Sequence, residues 1–135
     1  MSDHVIAVGE PIPSLIRTTG LANWNRYAAV NDEFVPIHMD DDAGRAAGYS
    51  TAFGMGNLQW AYLHNVLREW LPDARIVRLS CQFRAANTKG MNVTATGAVT
   101  AVRDVDGGRE VDVDVWTEDE EGNRLAPGKA TLLLG

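Results

Sequence analysis

The chain has 135 residues, of which 45% are hydrophobic, and these values suit a single domain with one sizeable core. The formal net charge is −6 and the 12 Lys and Arg residues are scattered, which argues against a general nucleic-acid-binding protein, because phosphate contacts need clustered cations. Cys81 is the only cysteine, so an intramolecular disulfide and a multi-cysteine metal site are excluded.

The N-terminal ten residues contain a short apolar run between Asp3 and Glu10 and lack the basic flank of a signal peptide. No stretch of the sequence approaches the roughly 18 consecutive apolar residues that a membrane-spanning helix requires. We therefore expect a cytoplasmic protein without membrane association. We also expect residues 1–135 to form a single domain.

The first half of the chain predicts one short strand and several helices. Residues 14–19 are typical of a strand, and Asn23 suits the N-cap of a helix that begins at Trp24. The acidic residues 40–42 favour a short helix, because negative charge stabilises a helix N-terminus, and Gly48 suits its C-terminal cap.

The longest helical pattern covers residues 56–71 and ends before Pro72. Its apolar residues cover much of the helix circumference, which predicts a helix that is buried on several sides. The main stripe consists of Trp60, Leu63, Leu67 and Trp70, and Leu58, Tyr62 and Val66 widen it.

Four strands are predicted in the second half, at residues 75–86, 91–103, 109–119 and 125–134, because apolar and polar residues alternate there. Glycine-containing turns at 106–108 and 121–123 indicate hairpins. Helices followed by antiparallel strands predict an α+β fold in which a curved sheet wraps around a long central helix. This is the outline of a hot-dog fold.

Glu33 and His38 place a carboxylate five residues before an imidazole, and Pro36 stiffens the turn between them. Two such groups can hold one water molecule and exchange protons with a substrate. The spacing by itself favours a solvated loop carboxylate and a structural histidine over a catalytic pair. The neighbouring residues favour the interpretation of Glu33 and His38 as a catalytic pair.

Residues 27–60 resemble the MaoC-like (R)-specific enoyl-CoA hydratases and dehydratases. Residues 33–38, Glu-Phe-Val-Pro-Ile-His, resemble the core motif of that family, Ser-Gly-Asp-x-Asn-Pro-(Ile/Leu)-His. Residues 53–58, Phe-Gly-Met-Gly-Asn-Leu, resemble its His-Gly-Met-Leu element, which opens the central helix. The resemblance implies a hot-dog fold and reversible hydration of a trans-2-enoyl thioester carried by coenzyme A or acyl-carrier protein.

Transferred to this sequence, the family pattern implies that His38 is the catalytic histidine and that Glu33 replaces the catalytic aspartate. The backbone N–H of Gly56 corresponds to the oxyanion donor, and a free N–H at a helix start is suited to that role. Val35 replaces the asparagine of the motif, and Met55 replaces the histidine before the glycine. No cofactor and no metal are implied.

Further residues are weaker candidates for substrate binding. Met55, Asn57 and Gln59 lie near the start of the central helix and could line an acyl pocket, although polar residues there usually satisfy backbone groups. Arg84 and Lys89 could bind coenzyme A phosphates, although isolated surface charges are normal. His64 is interpreted as a core or interface histidine.

Two other functions remain open at this point. The replacements at positions 33, 35 and 55 also fit a non-catalytic acyl-binding subunit of a heteromeric hydratase. A thioesterase is a third alternative, since one fold hosts several activities. The resemblance further implies a homodimer, or a heterodimer with a second hot-dog subunit.

Overall fold

The computed structural model describes residues 5–135, so residues 1–4, at the start of the segment assessed for a signal peptide, lie outside the described part. Five strands, three α-helices and one 3₁₀ turn are formed within it. In chain order they are β1 (Leu15–Thr18), α1 (Leu21–Asn31), the 3₁₀ turn (Pro36–His38), α2 (Asp41–Ala46), α3 (Gly56–Trp70), β2 (Arg75–Cys81), β3 (Asn92–Val105), β4 (Gly108–Glu118) and β5 (Arg124–Leu134).

The strands form one antiparallel sheet in the order β1-β3-β4-β5-β2. Both predicted hairpins are confirmed. Their turns contain Gly107 and Gly122, whose φ angles of 85° and 81° lie in the left-handed region that glycine adopts without steric cost.

The core lies between the inner face of the sheet and α3. Along β4, Val111, Val113 and Val115 are buried, and the intervening residues are partly exposed, as the alternating pattern predicts. On α3, Leu63 and Leu67 are completely buried. The predicted central helix is thus confirmed over Gly56–Trp70.

Trp60 differs from the prediction, because 40% of its surface is exposed. It lies off the buried stripe and stacks on His64, with the ring centroids 5.7 Å apart. The indole therefore lies at the boundary between the buried and the exposed faces of α3. His64 is half-buried beside it.

The N-terminus of α1 was also predicted wrongly. The helix begins at Leu21 after Gly20, three residues before the predicted start. Asn23 lies in the first turn, where its Oδ1 accepts the Gly20 N–H at 3.0 Å. The Asn23 side chain therefore caps the helix from inside the first turn. The N-cap position itself is occupied by Gly20, which has no side chain that could accept a hydrogen bond.

Strand β2 is shorter than the predicted 75–86, because it ends at Cys81. The N–H groups of Arg84 and Ala85 both donate to the Leu125 carbonyl, at 2.8 and 3.1 Å. Two successive donors on one acceptor break the alternation of a strand. Residues 82–86 therefore run along the start of β5 as an irregular segment, towards the N-terminus of α3.

Within residues 5–135, no helix has both the length and the apolar character needed to cross a membrane.

Candidate active site

The loop after α1 is shaped by local backbone contacts. Asp32 takes up a left-handed conformation with φ 52°, and the Glu33 N–H donates to the Ala28 carbonyl at 3.0 Å. Pro36 then begins the 3₁₀ turn, and the His38 N–H donates to the Val35 carbonyl at 3.0 Å. The conformation of residues 33–38 is therefore fixed by the helix end and by the turn.

His38 is buried, with 8% of its surface exposed. Its Nδ1 lies 2.7 Å from the carbonyl oxygen of Phe53. Because a carbonyl only accepts, Nδ1 is the donor, and the neutral ring keeps a lone pair on Nε2. The Phe53 ring packs edge-on against the imidazole at 5.5 Å, and the Phe53 N–H donates to the Ile37 carbonyl at 3.1 Å. These contacts fix the orientation and the tautomer of His38.

Glu33 has a buried Oε2 atom without a hydrogen-bond partner among the described residues. Burial, together with the negative charge of Glu33, raises the pKa of the Tyr27 phenol above its ordinary value. No hydrogen bond joins Glu33 to His38 within residues 5–135. The carboxylate therefore has a free acceptor atom that can take a proton donor such as water.

His38 and Gly56 line the same cavity of about 210 Å³. Gly56 is the first residue of α3, and the first N–H groups of a helix have no acceptor inside the helix. These N–H groups and the helix dipole favour negative charge at this end of α3. The other lining residues include Tyr49, Phe53, Gln59 and Arg84.

A close contact at position 56 disfavours any residue larger than glycine. A Cβ atom at Gly56 would lie 2.6 Å from the ring of Phe83, which covers the start of α3. A larger residue would push the ring or the helix start away.

Asn87 and Gln59 are two buried amides with different surroundings. The Gln59 amide donates to the Ala85 carbonyl at 3.0 Å and accepts the Thr117 hydroxyl at 2.6 Å. The Asn87 side chain, although completely buried, has no hydrogen-bond partner for either polar atom among the described residues. It packs on Gly54, where a Cβ atom would lie 2.2 Å from the amide.

Of the weaker candidates for substrate binding, only some line the cavity that contains His38. Arg84 lines the cavity beside His38. Met55 is 1% exposed and belongs to the core, and the exposed Asn57 is not one of the lining residues. Lys89 forms an ion pair with Asp41 at 2.6 Å, and this hydrogen bond is the main cause that lowers the pKa of the Asp41 carboxyl.

Three contributions to the site carry no recognisable sequence signal. The Phe53 carbonyl orients His38, but any residue supplies a backbone carbonyl. The ring of Tyr49 stacks on the ring of Phe53, with the centroids 4.0 Å apart. An isolated aromatic residue in a loop does not predict such a contact. Asn87 is polar in an irregular segment, where exposure is the usual expectation. Over residues 5–135, no group of three or more His, Cys, Asp or Glu side chains could hold a metal ion.

The sequence model of the MaoC-like domain matches residues 7–121. The chain belongs to the MaoC-like domain family. This confirms the predicted resemblance, and the match includes Glu33, His38 and Gly56. A search of curated proteins returns no match.

Several solved structures share the fold of this chain. An (R)-hydratase from A. caviae involved in PHA biosynthesis superposes with a TM-score of 0.86 at 23% identity, over 96% of this chain and 98% of that chain. A chain of the ChsH1–ChsH2 complex from Mycobacterium tuberculosis gives 0.86 at 22% identity, over 97% and 100%. A chain of the truncated HadBC (3R-hydroxyacyl-ACP dehydratase) complex from the same organism gives 0.77 at 14% identity, over 94% and 96%. The predicted hot-dog fold is confirmed.

Proposed function

We propose that the protein catalyses the reversible addition of water to a trans-2-enoyl thioester, which gives a 3-hydroxyacyl thioester. Membership of the MaoC-like domain family supports this proposal. The names of structural neighbours, an (R)-hydratase and a 3R-hydroxyacyl-ACP dehydratase, support it as well.

The proposed mechanism assigns one task to each group. The Gly56 N–H donates to the thioester carbonyl and stabilises the enolate character that develops when water attacks C3. Glu33 and His38 hold that water between the free Oε2 atom and Nε2. Either Glu33 or His38 takes a proton from the water as it attacks C3, and the same group then passes this proton to C2, so that the net change is the addition of one water molecule.

One observation carries the proposal: an oriented histidine with a free Nε2 and the N-terminus of α3 face one cavity. A proton acceptor and a donor for a carbonyl oxygen are the two elements that hydration of an enoyl thioester requires. Glu33 is not among the residues that line this cavity, but it lies in the loop that carries His38 and has a buried, unpartnered Oε2 atom that can act as a second acceptor.

The test is a steady-state assay of the purified protein with crotonyl-CoA, in which loss of the conjugated absorbance reports hydration. We expect His38→Ala to lower kcat/KM by about a hundredfold to ten-thousandfold, because a positioned acid–base group contributes that much. His64→Ala is the matched control, since His64 lies on the side of α3 that carries Trp60 and does not line the cavity beside His38. Equal rates for wild type and His38→Ala would contradict the proposal, and release of free thiol would indicate a thioesterase.

A second candidate is a subunit of a heteromeric hydratase. Two structural neighbours come from two-component complexes, and Val35 and Met55 depart from the family motif. In this alternative the chain binds the acyl group and a second hot-dog subunit supplies the intact catalytic pair. Wild-type protein that forms a homodimer and hydrates crotonyl-CoA on its own excludes the alternative. Protein that becomes active only after addition of a second subunit supports it.

A further inference from the structure

A second concave surface lies on the outer face of the sheet, where β2 and β5 meet. This groove has a volume of about 460 Å³, which falls within the usual range for small-molecule sites. Arg84 borders both the groove and the cavity that contains His38. The groove and the cavity are therefore adjacent, and the Arg84 side chain lies between them.

The groove is locally cationic on a protein whose formal net charge is −6. Its lining contains three positive side chains, Arg84, Arg124 and Lys129, and one carboxylate, Asp114. Asp114 pairs with Lys129 at 3.0 Å, so its charge is already balanced. The two arginines keep their positive charge available.

The contacts of the two arginines hold them in place without neutralising them. Arg84 donates to Gln82 Oε1 at 3.0 and 3.3 Å, and Arg124 lies over the Trp116 ring, 3.9 Å from its centroid. Neither forms an ion pair with any residue of the described chain. Positioned guanidinium groups with free donors suit phosphate oxygens, which they bind through two parallel hydrogen bonds.

Lys89, the other predicted phosphate-binding residue, differs from the two arginines in its ion pairing and in its position. Its ammonium is paired with Asp41, and Lys89 does not line the groove. The cation that an anionic ligand would meet beside Arg84 is therefore Arg124.

Resting on the proposed function, we infer that this groove binds the phosphate groups of coenzyme A while the acyl thioester occupies the cavity beside His38. The proposal selects coenzyme A as the carrier over an acyl-carrier protein. Coenzyme A carries a diphosphate and a 3′-phosphate, whereas the prosthetic arm of a carrier protein carries one phosphodiester. A groove with two unpaired arginines and a lysine matches the ligand with several phosphates.

The test compares crotonyl-CoA with crotonyl-pantetheine, which lacks phosphates. Wild type should prefer crotonyl-CoA, and Arg84→Ala combined with Arg124→Ala should reduce the preference in kcat/KM by about a hundredfold, since one charge-assisted contact is worth about tenfold. The matched control is Arg26→Ala, which removes an exposed arginine of α1 and should leave the preference unchanged. An unchanged preference in the double variant, or a loss caused instead by Lys89→Ala, would overturn the assignment.

A binding measurement separates this inference from the proposed reaction. Calorimetric titration with coenzyme A and with adenosine 3′,5′-bisphosphate should show binding to wild type and loss of both signals in the double variant, whether or not the protein turns over crotonyl-CoA. An effect of the double variant on a crotonyl carrier-protein substrate with none on crotonyl-CoA would overturn the choice of carrier.

Discussion

Polar side chains on the outer face of the sheet have hydrogen-bond and ion-pair partners, whereas two polar side chains in the loops around the candidate active site have none among the described residues. On the sheet, Arg103 binds Glu110 at 2.6 Å and Asp112 at 2.8 Å, and the Thr131 hydroxyl donates to Asp112 at 2.7 Å. Hydrogen bonds from Arg103 and Thr131 hold the pKa of the Asp112 carboxyl below its usual value. Beside the site, a Glu33 oxygen and the Asn87 amide are buried without partners among the described residues.

The sheet residues therefore have hydrogen-bond partners within the protein, whereas the Glu33 oxygen and the Asn87 amide are able to bind a water molecule or a ligand. A buried polar group without a hydrogen bond costs about 1–3 kcal/mol of stability. Proteins retain such groups most readily where function depends on them.

The largest change in stability is expected from the sheet side of the comparison. Leu132 of β5 is completely buried, and Leu132→Ala should lower the free energy of unfolding by about 3 kcal/mol through lost burial and a residual cavity. Urea denaturation measures the change. Leu133→Ala, at a half-buried position of the same strand, is the control and should cost clearly less. Equal losses in the two variants would mean that the inner face of β5 is not the core.

A smaller change of opposite sign is expected beside the site. Asn87→Val should raise the free energy of unfolding by about 1–2 kcal/mol, because it removes two unpaired buried polar atoms and keeps a similar volume. Gln59→Met is the matched control. It should destabilise the fold, since it leaves the Thr117 hydroxyl and the Ala85 carbonyl without their partner. Destabilisation by Asn87→Val would show that the amide has a partner, such as a buried water molecule.

The sheet and the central helix could be predicted from the sequence because their residues repeat with the period of the element. Val111, Val113 and Val115 alternate along a strand, and glycines occupy turns that need a positive φ. Errors occurred where one contact overrides the pattern. Asn23 caps α1 from inside the helix, and the irregular pairing of residues 84 and 85 with Leu125 ends strand character early.

The candidate site was predictable only in part. Its titratable residues form a local motif, so Glu33 and His38 could be named from their spacing and their resemblance to the MaoC-like family. The Phe53 carbonyl and the Lys89–Asp41 pair depend on contacts between distant parts of the chain, and no spacing encodes them. The groove that brings Arg124 near Arg84 likewise exists only after β5 is paired beside β2.

The most direct test of the proposed mechanism is to measure activity and stability together in Glu33→Gln. Because the buried Glu33 Oε2 has no partner among the described residues, an amide of the same shape should leave the free energy of unfolding unchanged or higher. Loss of a proton acceptor should lower kcat/KM for crotonyl-CoA by at least about a hundredfold. Full activity in this variant would contradict a catalytic role for Glu33, and a loss of activity accompanied by an equal loss of stability would indicate a structural role instead.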